Sequence, residues 1–208
     1  MMEYMISGGI LMWIIAGLSV IAMAVVVERL LFFRSASTNP EALEEKFGKA
    51  VSENDIDTAR KVVRSSQSSL HRLFFAAFAH WGVGREDMKL LVEQQVRREI
   101  YRWEKHLFIL EIIGKTAPLL GLLGTVLGMV EMFQSLHLGG QINAATVTGG
   151  IWKALFTTVA GLTVAIPVIF AHGLLLSRID SEEETLNRGA DYLIREHFTS
   201  HGGESAKA

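Results

Sequence analysis

The sequence predicts an all-α membrane protein with three transmembrane helices and long helices that extend into the cytoplasm. Charged residues are almost absent from three stretches, Tyr4–Val27, Thr116–Val130 and Ala154–Ser177, and they are dense from Arg34 to Lys115 and again after Ser177. No run of four or more alternating apolar residues suggests a strand. Half of the 208 residues are apolar, which a soluble domain could also reach, so the distribution of charge carries the prediction.

The first span, Tyr4–Val27, has 24 residues without a charge, and about 20 apolar residues are enough to cross a bilayer. A cleaved signal peptide is the alternative, because the Ala-Met-Ala at 22–24 resembles a cleavage site. However, no Lys or Arg precedes the apolar run, whereas Arg29 and Arg34 follow it. This is the reverse of a signal peptide's charge order, so we expect a retained helix.

The second span is the shortest, with only 15 uncharged residues between Lys115 and Glu131, so its helix must carry charges near both membrane faces. The third, Ala154–Ser177, has 24 uncharged residues. The segment 34–115 holds 14 of the 20 Lys and Arg, and four more follow Ser177, but none precedes span 1 or lies in 134–152. The positive-inside rule therefore places the N-terminus and the 134–152 loop outside and the C-terminus in the cytoplasm.

The cytoplasmic segment is expected to form amphipathic helices. Asn39-Pro40 is a helix start, Asn54-Asp55 ends that helix, and Asp57 can cap the next. Apolar residues recur at three- and four-residue steps from Leu70 to Trp81, and Gly82 and Gly84 close that helix. From Glu86 onward no Gly or Pro occurs before Gly114, which predicts one long helix that becomes span 2. Its apolar stripe, interpreted as packing rather than a cofactor box, comprises Leu91, Val92, Val96, Ile100, Trp103 and Leu107.

These assignments divide the chain into six parts. They are transmembrane helix 1 (1–33), a cytoplasmic helical domain (34–111), transmembrane helix 2 (112–136), a short periplasmic loop (137–147), transmembrane helix 3 (148–177), and a cytoplasmic C-terminal helix and tail (178–208).

Composition excludes several functional classes. The chain has no cysteine, so it has no disulfide, thiolate metal site or Cys nucleophile. Its net charge of −2, without a basic patch carrying aromatics, argues against nucleic-acid binding. His197 and His201 are four residues apart, but the histidines form no convincing metal constellation. We expect no cofactor, no metal and no enzyme chemistry.

Small and hydroxyl residues mark spans 2 and 3. Small residues let helix backbones approach closely in lipid, either within one chain or in a multi-subunit bundle; they are Gly114, Gly121, Gly124, Gly128, Gly161 and Ala165. Counted by helical rise, Thr125 and Thr158 fall near the same midplane level. Each hydroxyl could simply bond back to its own helix, but two at one depth favour a polar ring. A proton relay normally needs a carboxylate or His in the membrane, so a partner helix would have to supply the acid.

Two segments, GKTAPLLGLLGTVLGM at 114–129 and ALFTTVAGLTVAIP at 154–167, resemble the signature helices of the ExbB/TolQ branch of the ExbB/TolQ/MotA family of ion-driven stator channels. The three-span topology and the cytoplasmic insertion extend the resemblance to nearly the whole chain, whereas MotA-like stators usually have four spans. The resemblance implies pore-lining positions at Thr125, Thr157, Thr158 and Lys153, and packing positions at Pro118, Gly121, Gly124, Gly128, Gly161 and Pro167.

The same resemblance implies a homopentamer around a central pore in the bacterial inner membrane. The pore would hold an ExbD/TolR-like single-span partner whose helix supplies an intramembrane Asp. The proton motive force would then energise envelope processes such as outer-membrane transport, with a TonB/TolA-like envelope protein as a possible further partner. A TolQ-like stator for envelope maintenance, a non-conducting scaffold and a small solute transporter are the alternatives. The sequence does not choose between H⁺ and Na⁺, or name the process that is energised.

Two positions depart from the family pattern. Many ExbB-like chains have Glu where Lys153 stands, and Tyr-Asn after the Ala-Ile-Pro at the end of span 3, where this chain has Ala171-His172. By helical rise, Glu131 and Lys153 lie at nearly one depth toward the outer side. We predict that they form an ion pair; the alternative is that each side chain snorkels separately to the headgroups.

Overall fold

The computed structural model describes the backbone of residues 9–36, 38–53, 55–137 and 144–205, which form seven α-helices within those ranges. They are α1 (Gly9–Ala36), α2 (Pro40–Ser52), α3 (Ile56–Arg64), α4 (Ser69–Ala79), α5 (Arg85–Glu104), α6 (Leu107–His137) and α7 (Ala144–Ser205). The start of predicted span 1, before residue 9, and residues 138–143 of the predicted loop 137–147 lie outside the described residues. The described part of the chain is helical, as the sequence predicts.

Three of the helices are long and apolar enough to cross a membrane. Lying within Gly9–Ser52, Arg85–Gln134 and Thr148–Thr199, they contain predicted spans 2 and 3 and the part of predicted span 1 that follows residue 8. Large apolar side chains are exposed along them, among them Ile10, Leu119 and Phe170. Such surfaces are stable only in lipid or against other helices, and the chain is therefore a membrane protein.

The chain divides into two units. The membrane unit contains residues 9–28 and 106–175 of the described chain, and the helical unit contains residues 29–105 and 176–205.

The short helices of the helical unit begin at polar caps. Asn39 accepts a hydrogen bond from the N–H of Glu41, and Pro40 occupies the first helical position of α2, as predicted. The cap of α3 is Asp55, whose carboxylate accepts from both the N–H and the hydroxyl of Thr58. The prediction that Asp57 caps this helix is wrong, because Asp57 already lies in its first turn.

The helix predicted to run unbroken from Glu86 into span 2 is two helices, α5 and α6, separated at Lys105-His106. His106 has φ 67°, a conformation that ends an α-helix and in which His is among the more tolerant residue types. Arg29 stabilises the end of α5, because its guanidinium donates to the carbonyl of Arg102 at 3.0 Å and lies 3.5 Å from that of Trp103. No Gly or Pro marks this break, so the sequence pattern misses it.

The helical unit has one apolar core. Phe47 lies edge-on against Phe74 with ring centroids 5.1 Å apart, and the last helix contributes Leu186 and Leu193, both fully buried. In α5 the predicted stripe is buried at Val92, Val96 and Trp103, whereas its members Leu91 and Ile100 are only partly buried. Met88 and Glu99 complete the buried face.

Candidate functional site

The membrane unit brings α6 and α7 together backbone to backbone. A Cβ atom added at Gly121 would lie 2.9 Å from the carbonyl oxygen of Thr157 and 2.9 Å from the Cα of Thr158. A Cβ added at Gly161 would lie 2.5 Å from the carbonyl oxygen of Ala117. Both distances are too short for any side chain, so only glycine permits this approach.

The other predicted glycines lie along the same contact. A Cβ at Gly124 would lie 2.7 Å from the Cβ of Thr157, and one at Gly128 would lie 3.1 Å from the Cβ of Ala154. Position 121 faces 158 and position 128 faces 154, so the two helices run antiparallel. Thr125 directly follows Gly124, which brings it to the level of Thr157 and Thr158 on the facing helix.

Two hydroxyls of α7 converge on one carbonyl of α6. Thr158 Oγ1 donates to the carbonyl oxygen of Gly121 at 3.0 Å. Thr157 is only 2% exposed, and its Oγ1 lies 2.7 Å from the carbonyl oxygen of Ala154 and 3.3 Å from that of Gly121. Thr157 is therefore engaged in packing within the protomer, whereas Thr158 is only half-buried.

The hydroxyl of Thr125 stays on its own helix. Its Oγ1 donates to the carbonyl oxygen of Leu122 at 2.6 Å, on the exposed side of α6. This is the local back-bonding that hydroxyls adopt in helices, and it leaves the oxygen lone pairs of Thr125 available to an ion or a partner. Whether the residue lines a pore remains a prediction.

Both prolines of the membrane unit lie inside helices, Pro118 in α6 and Pro167 in α7. Each lacks the N–H that would bond the carbonyl four residues earlier. The carbonyls of Gly114 and Thr163 therefore lack the usual helical hydrogen bond from Pro118 and Pro167, respectively. Gly114 of α6 also lies close to α7, because a Cβ added there would lie 2.9 Å from Cγ1 of Ile169. The prolines thus interrupt the backbone hydrogen-bond ladder of both helices.

Charges frame this helix pair. On α6, Lys115 Nζ lies 2.6 Å from Glu111 Oε1. Glu131, further along α6, is exposed. The side chain of Lys153 lies outside the described residues, so the predicted Glu131–Lys153 pair and the predicted pore position of Lys153 remain predictions.

The described residues contain no group of three or more His, Asp or Glu that could hold a metal ion. His197 has a structural contact instead: its Nε2 donates to the carbonyl oxygen of Trp81 at 2.9 Å, since a carbonyl can only accept. The side chain of His201 is outside the described part of the structure.

The sequence interpretation missed a buried ion-pair network in the helical unit. Glu99 is fully buried and accepts from Arg72 Nε at 2.9 and 3.0 Å, with Gln95 and Arg102 within 3.1 and 3.4 Å of its Oε1. Glu99 lies three residues after Val96 and four before Trp103, on the apolar stripe itself. A carboxylate on such a stripe was the available signal, because a buried charge requires a partner.

Comparison with known proteins supports the resemblance. The profile of the MotA/TolQ/ExbB proton channel family matches residues 37–188, which is most of the chain. The chain belongs to this family. The ExbB-like 3 biopolymer transport protein of Synechocystis is 32% identical over 165 residues, covering 78% of this chain and 79% of its own length.

Two further relatives carry related names. The ExbB-like 1 biopolymer transport protein of Synechocystis is 30% identical over 85% of this chain and 71% of its own length. Biopolymer transport protein ExbB of Helicobacter pylori is 43% identical over 76 residues, which is 36% of this chain and 52% of that protein. Among members of the MotA/TolQ/ExbB family, the chain is thus similar to proteins named ExbB.

Proposed function

We propose that this chain is an ExbB-like subunit of an ion-driven stator in the bacterial inner membrane. It works with an ExbD/TolR-like single-span partner and uses the proton motive force to energise envelope processes such as outer-membrane transport. Family membership and the names of the relatives support this proposal. The chain acts through assembly and ion passage, and it performs no enzyme chemistry.

The observation that carries the proposal is the α6–α7 helix pair. Its backbones meet at Gly121 and Gly161, and it presents threonine hydroxyls at one level. The sequence has no carboxylate between Glu111 and Glu131 or from Ala154 to Ser177. A hydroxyl can coordinate an ion but does not store a proton at neutral pH, so an acid on another helix must do so.

Assembly into a homopentamer around a central pore follows from this proposal. Apolar side chains of α6 such as Leu119, Leu122 and Val126 are 51–63% exposed in the single chain. Some of them would face lipid and others neighbouring copies. The partner's helix, with its intramembrane Asp, would occupy the pore, and a TonB/TolA-like protein would receive the motion. The N-terminus would be periplasmic and the C-terminus cytoplasmic.

The direct test is proton flux in vesicles that contain this chain and a single-span partner with an intramembrane Asp. Thr125→Ala and Thr158→Ala should each lower the flux, by up to about tenfold if one hydrogen bond to the moving ion is lost. Thr163→Ala is the matched control, because Thr163 lies on α7, is exposed, and back-bonds to Val159. Equal flux in all three variants would refute the polar ring.

A non-conducting scaffold is the second candidate, and Lys153 favours it, because a cation stands where many family members have Glu. Absence of flux from the wild-type pair, with the partner still bound, would establish the scaffold instead of the channel. Mass measurement of the purified chain in mild detergents tests the assembly separately, and a monomer in several detergents would contradict the pentamer.

A further inference from the structure

A cleft of about 480 Å³ lies in the helical unit, between the start of α2, the end of α3 and the segment that leads into α4. Its volume is within the range of small-molecule sites, roughly 300–1,000 Å³. Lys46 enters it from α2 and Lys61 from α3, while Leu43 and Val62 provide apolar lining. No carboxylate is among the described residues that line it.

His71 forms part of the cleft wall and is only 6% exposed. Ser65 donates its single hydroxyl proton to the carbonyl oxygen of Val62 at 2.8 Å, so its Oγ accepts from His71 Nε2 at 3.1 Å. His71 Nδ1 then accepts from the hydroxyl of Ser68 at 2.8 Å. Burial also lowers the pKa of His71, so this wall is neutral and its hydrogen bonds are internally satisfied.

The remaining polar groups of the cleft have donors to spare. Among the described residues, neither Lys46 nor Lys61 has a carboxylate within ion-pair distance. Asp55 interacts electrostatically with Lys61, but its oxygens are already bonded to Thr58. Ser66 Oγ accepts from the N–H of Ser68, and no acceptor for its own proton lies within the described part of the chain, so this proton can be donated to a ligand.

We propose that this cleft binds a phosphate ester. Two lysines and a serine with a free hydroxyl donor line a space without a competing carboxylate, which favours a compact anion with several acceptor oxygens. A bare phosphate ion would leave much of the volume empty and would not use Leu43 or Val62. An ester fits both features, with its phosphate against the lysines and its organic part against the apolar lining.

Such an ester could come from an anionic phospholipid headgroup or from a soluble organic phosphate, and two experiments separate these sources. In the first, glycerol phosphate is titrated by calorimetry into the full chain in phosphatidylcholine nanodiscs. In the second, native mass spectrometry counts the lipids retained by the full chain from micelles doped with phosphatidylglycerol or with phosphatidylcholine. We expect binding in at least one experiment, and the one that is positive identifies the source.

The variants decide whether the binding belongs to this cleft. Lys46→Gln and Lys61→Gln should each weaken it by at least about tenfold, the loss expected for one hydrogen bond to a charged group. Ser66→Ala should weaken it several-fold without changing the charge. Lys49→Gln is the matched control, because Lys49 is exposed on α2 but does not line the cleft.

Two results would overturn the proposal. One is no binding by the wild-type chain in either experiment. The other is an equal loss of binding in the Lys49→Gln control and the Lys46→Gln variant, which would indicate that the ligand responds to general surface charge and not to this cleft. Circular dichroism melts of each variant verify that the exposed substitutions leave the fold intact. The outcome does not depend on ion flux, so it is separate from the test of the proposed function.

Discussion

Gly121→Ala tests the close contact between α6 and α7. The added methyl would meet the backbone of Thr157 and Thr158 at 2.9 Å, and no side-chain rotation can relieve a contact with backbone atoms. The helices must separate by several tenths of an ångström, which also lengthens the hydrogen bond from Thr158 Oγ1 to Gly121, now 3.0 Å.

The expected magnitude combines three effects. Overpacking costs about 1–3 kcal/mol, and weakening the hydrogen bond costs about 0.5–1.5 kcal/mol. Replacing Gly by Ala within a helix stabilises that helix by about 1 kcal/mol, because Ala has the higher helix propensity. The net expectation is a destabilisation of about 0.5–3.5 kcal/mol, which corresponds to a fall in melting temperature of about 2–4 °C for each kcal/mol.

Gly173→Ala is the matched control, because nothing lies within 4 Å of a Cβ at Gly173. It gains the same helix propensity without a clash and should be neutral or slightly stabilising. Thermal unfolding of both variants in the same nanodiscs measures the difference. If Gly121→Ala melts at or above Gly173→Ala, the two helices do not pack backbone to backbone as described.

Three further predictions concern charges. Glu99→Ala should destabilise the protein by about 1.5–3 kcal/mol in thermal unfolding, because the partly buried Arg72 loses its charged hydrogen-bond partner, whereas Glu93→Ala, which breaks an exposed pair, should cost no more than about 1 kcal/mol. Burial raises the pKa of Glu182 from 4.5 to about 7, so the contribution of its protonated form to stability is full below pH 4.5 and is lost as the pH rises through 7. Glu182→Gln should therefore flatten the dependence of melting temperature on pH between about 4.5 and 7. An unchanged pH profile would contradict the raised pKa of Glu182. Reversing either Glu131 or Lys153 should harm assembly or flux, and the double swap Glu131→Lys with Lys153→Glu should recover part of the loss; no recovery would count against the pair.

The structure confirms several sequence predictions that depend on a property of one segment, although the local prediction that Asp57 caps α3 is wrong. The described parts of the three apolar stretches lie in helices able to span a membrane, because helix length and charge content determine how a segment partitions into lipid. The start of α2 at Asn39-Pro40 was also predictable, since capping depends on neighbouring residues. Gly121 and Gly161 were recognisable as packing residues for a related reason: in lipid, only small residues allow backbones to meet.

What the sequence left undecided depends on contacts between distant residues. Thr157 and Thr158 are adjacent hydroxyls in the sequence, yet Thr157 is buried in the α6–α7 contact and Thr158 is half-exposed. That difference follows from the register of two helices about 36 residues apart, which no local pattern encodes. The break at His106 likewise depends on Arg29, more than 70 residues away, donating to the end of α5.

The sequence by itself determined that this is a helical membrane protein, because apolar length and charge content are local properties, and its glycine-threonine motifs carried the resemblance to the ExbB/TolQ/MotA family. Only the tertiary structure decided which hydroxyls are consumed by packing, that Glu99 is a buried partner of Arg72, and that Lys46 and Lys61 share one cleft. The physical reason is that hydrogen bonds, ion pairs and clefts form between groups whose distance in space is set by packing rather than by their separation along the chain.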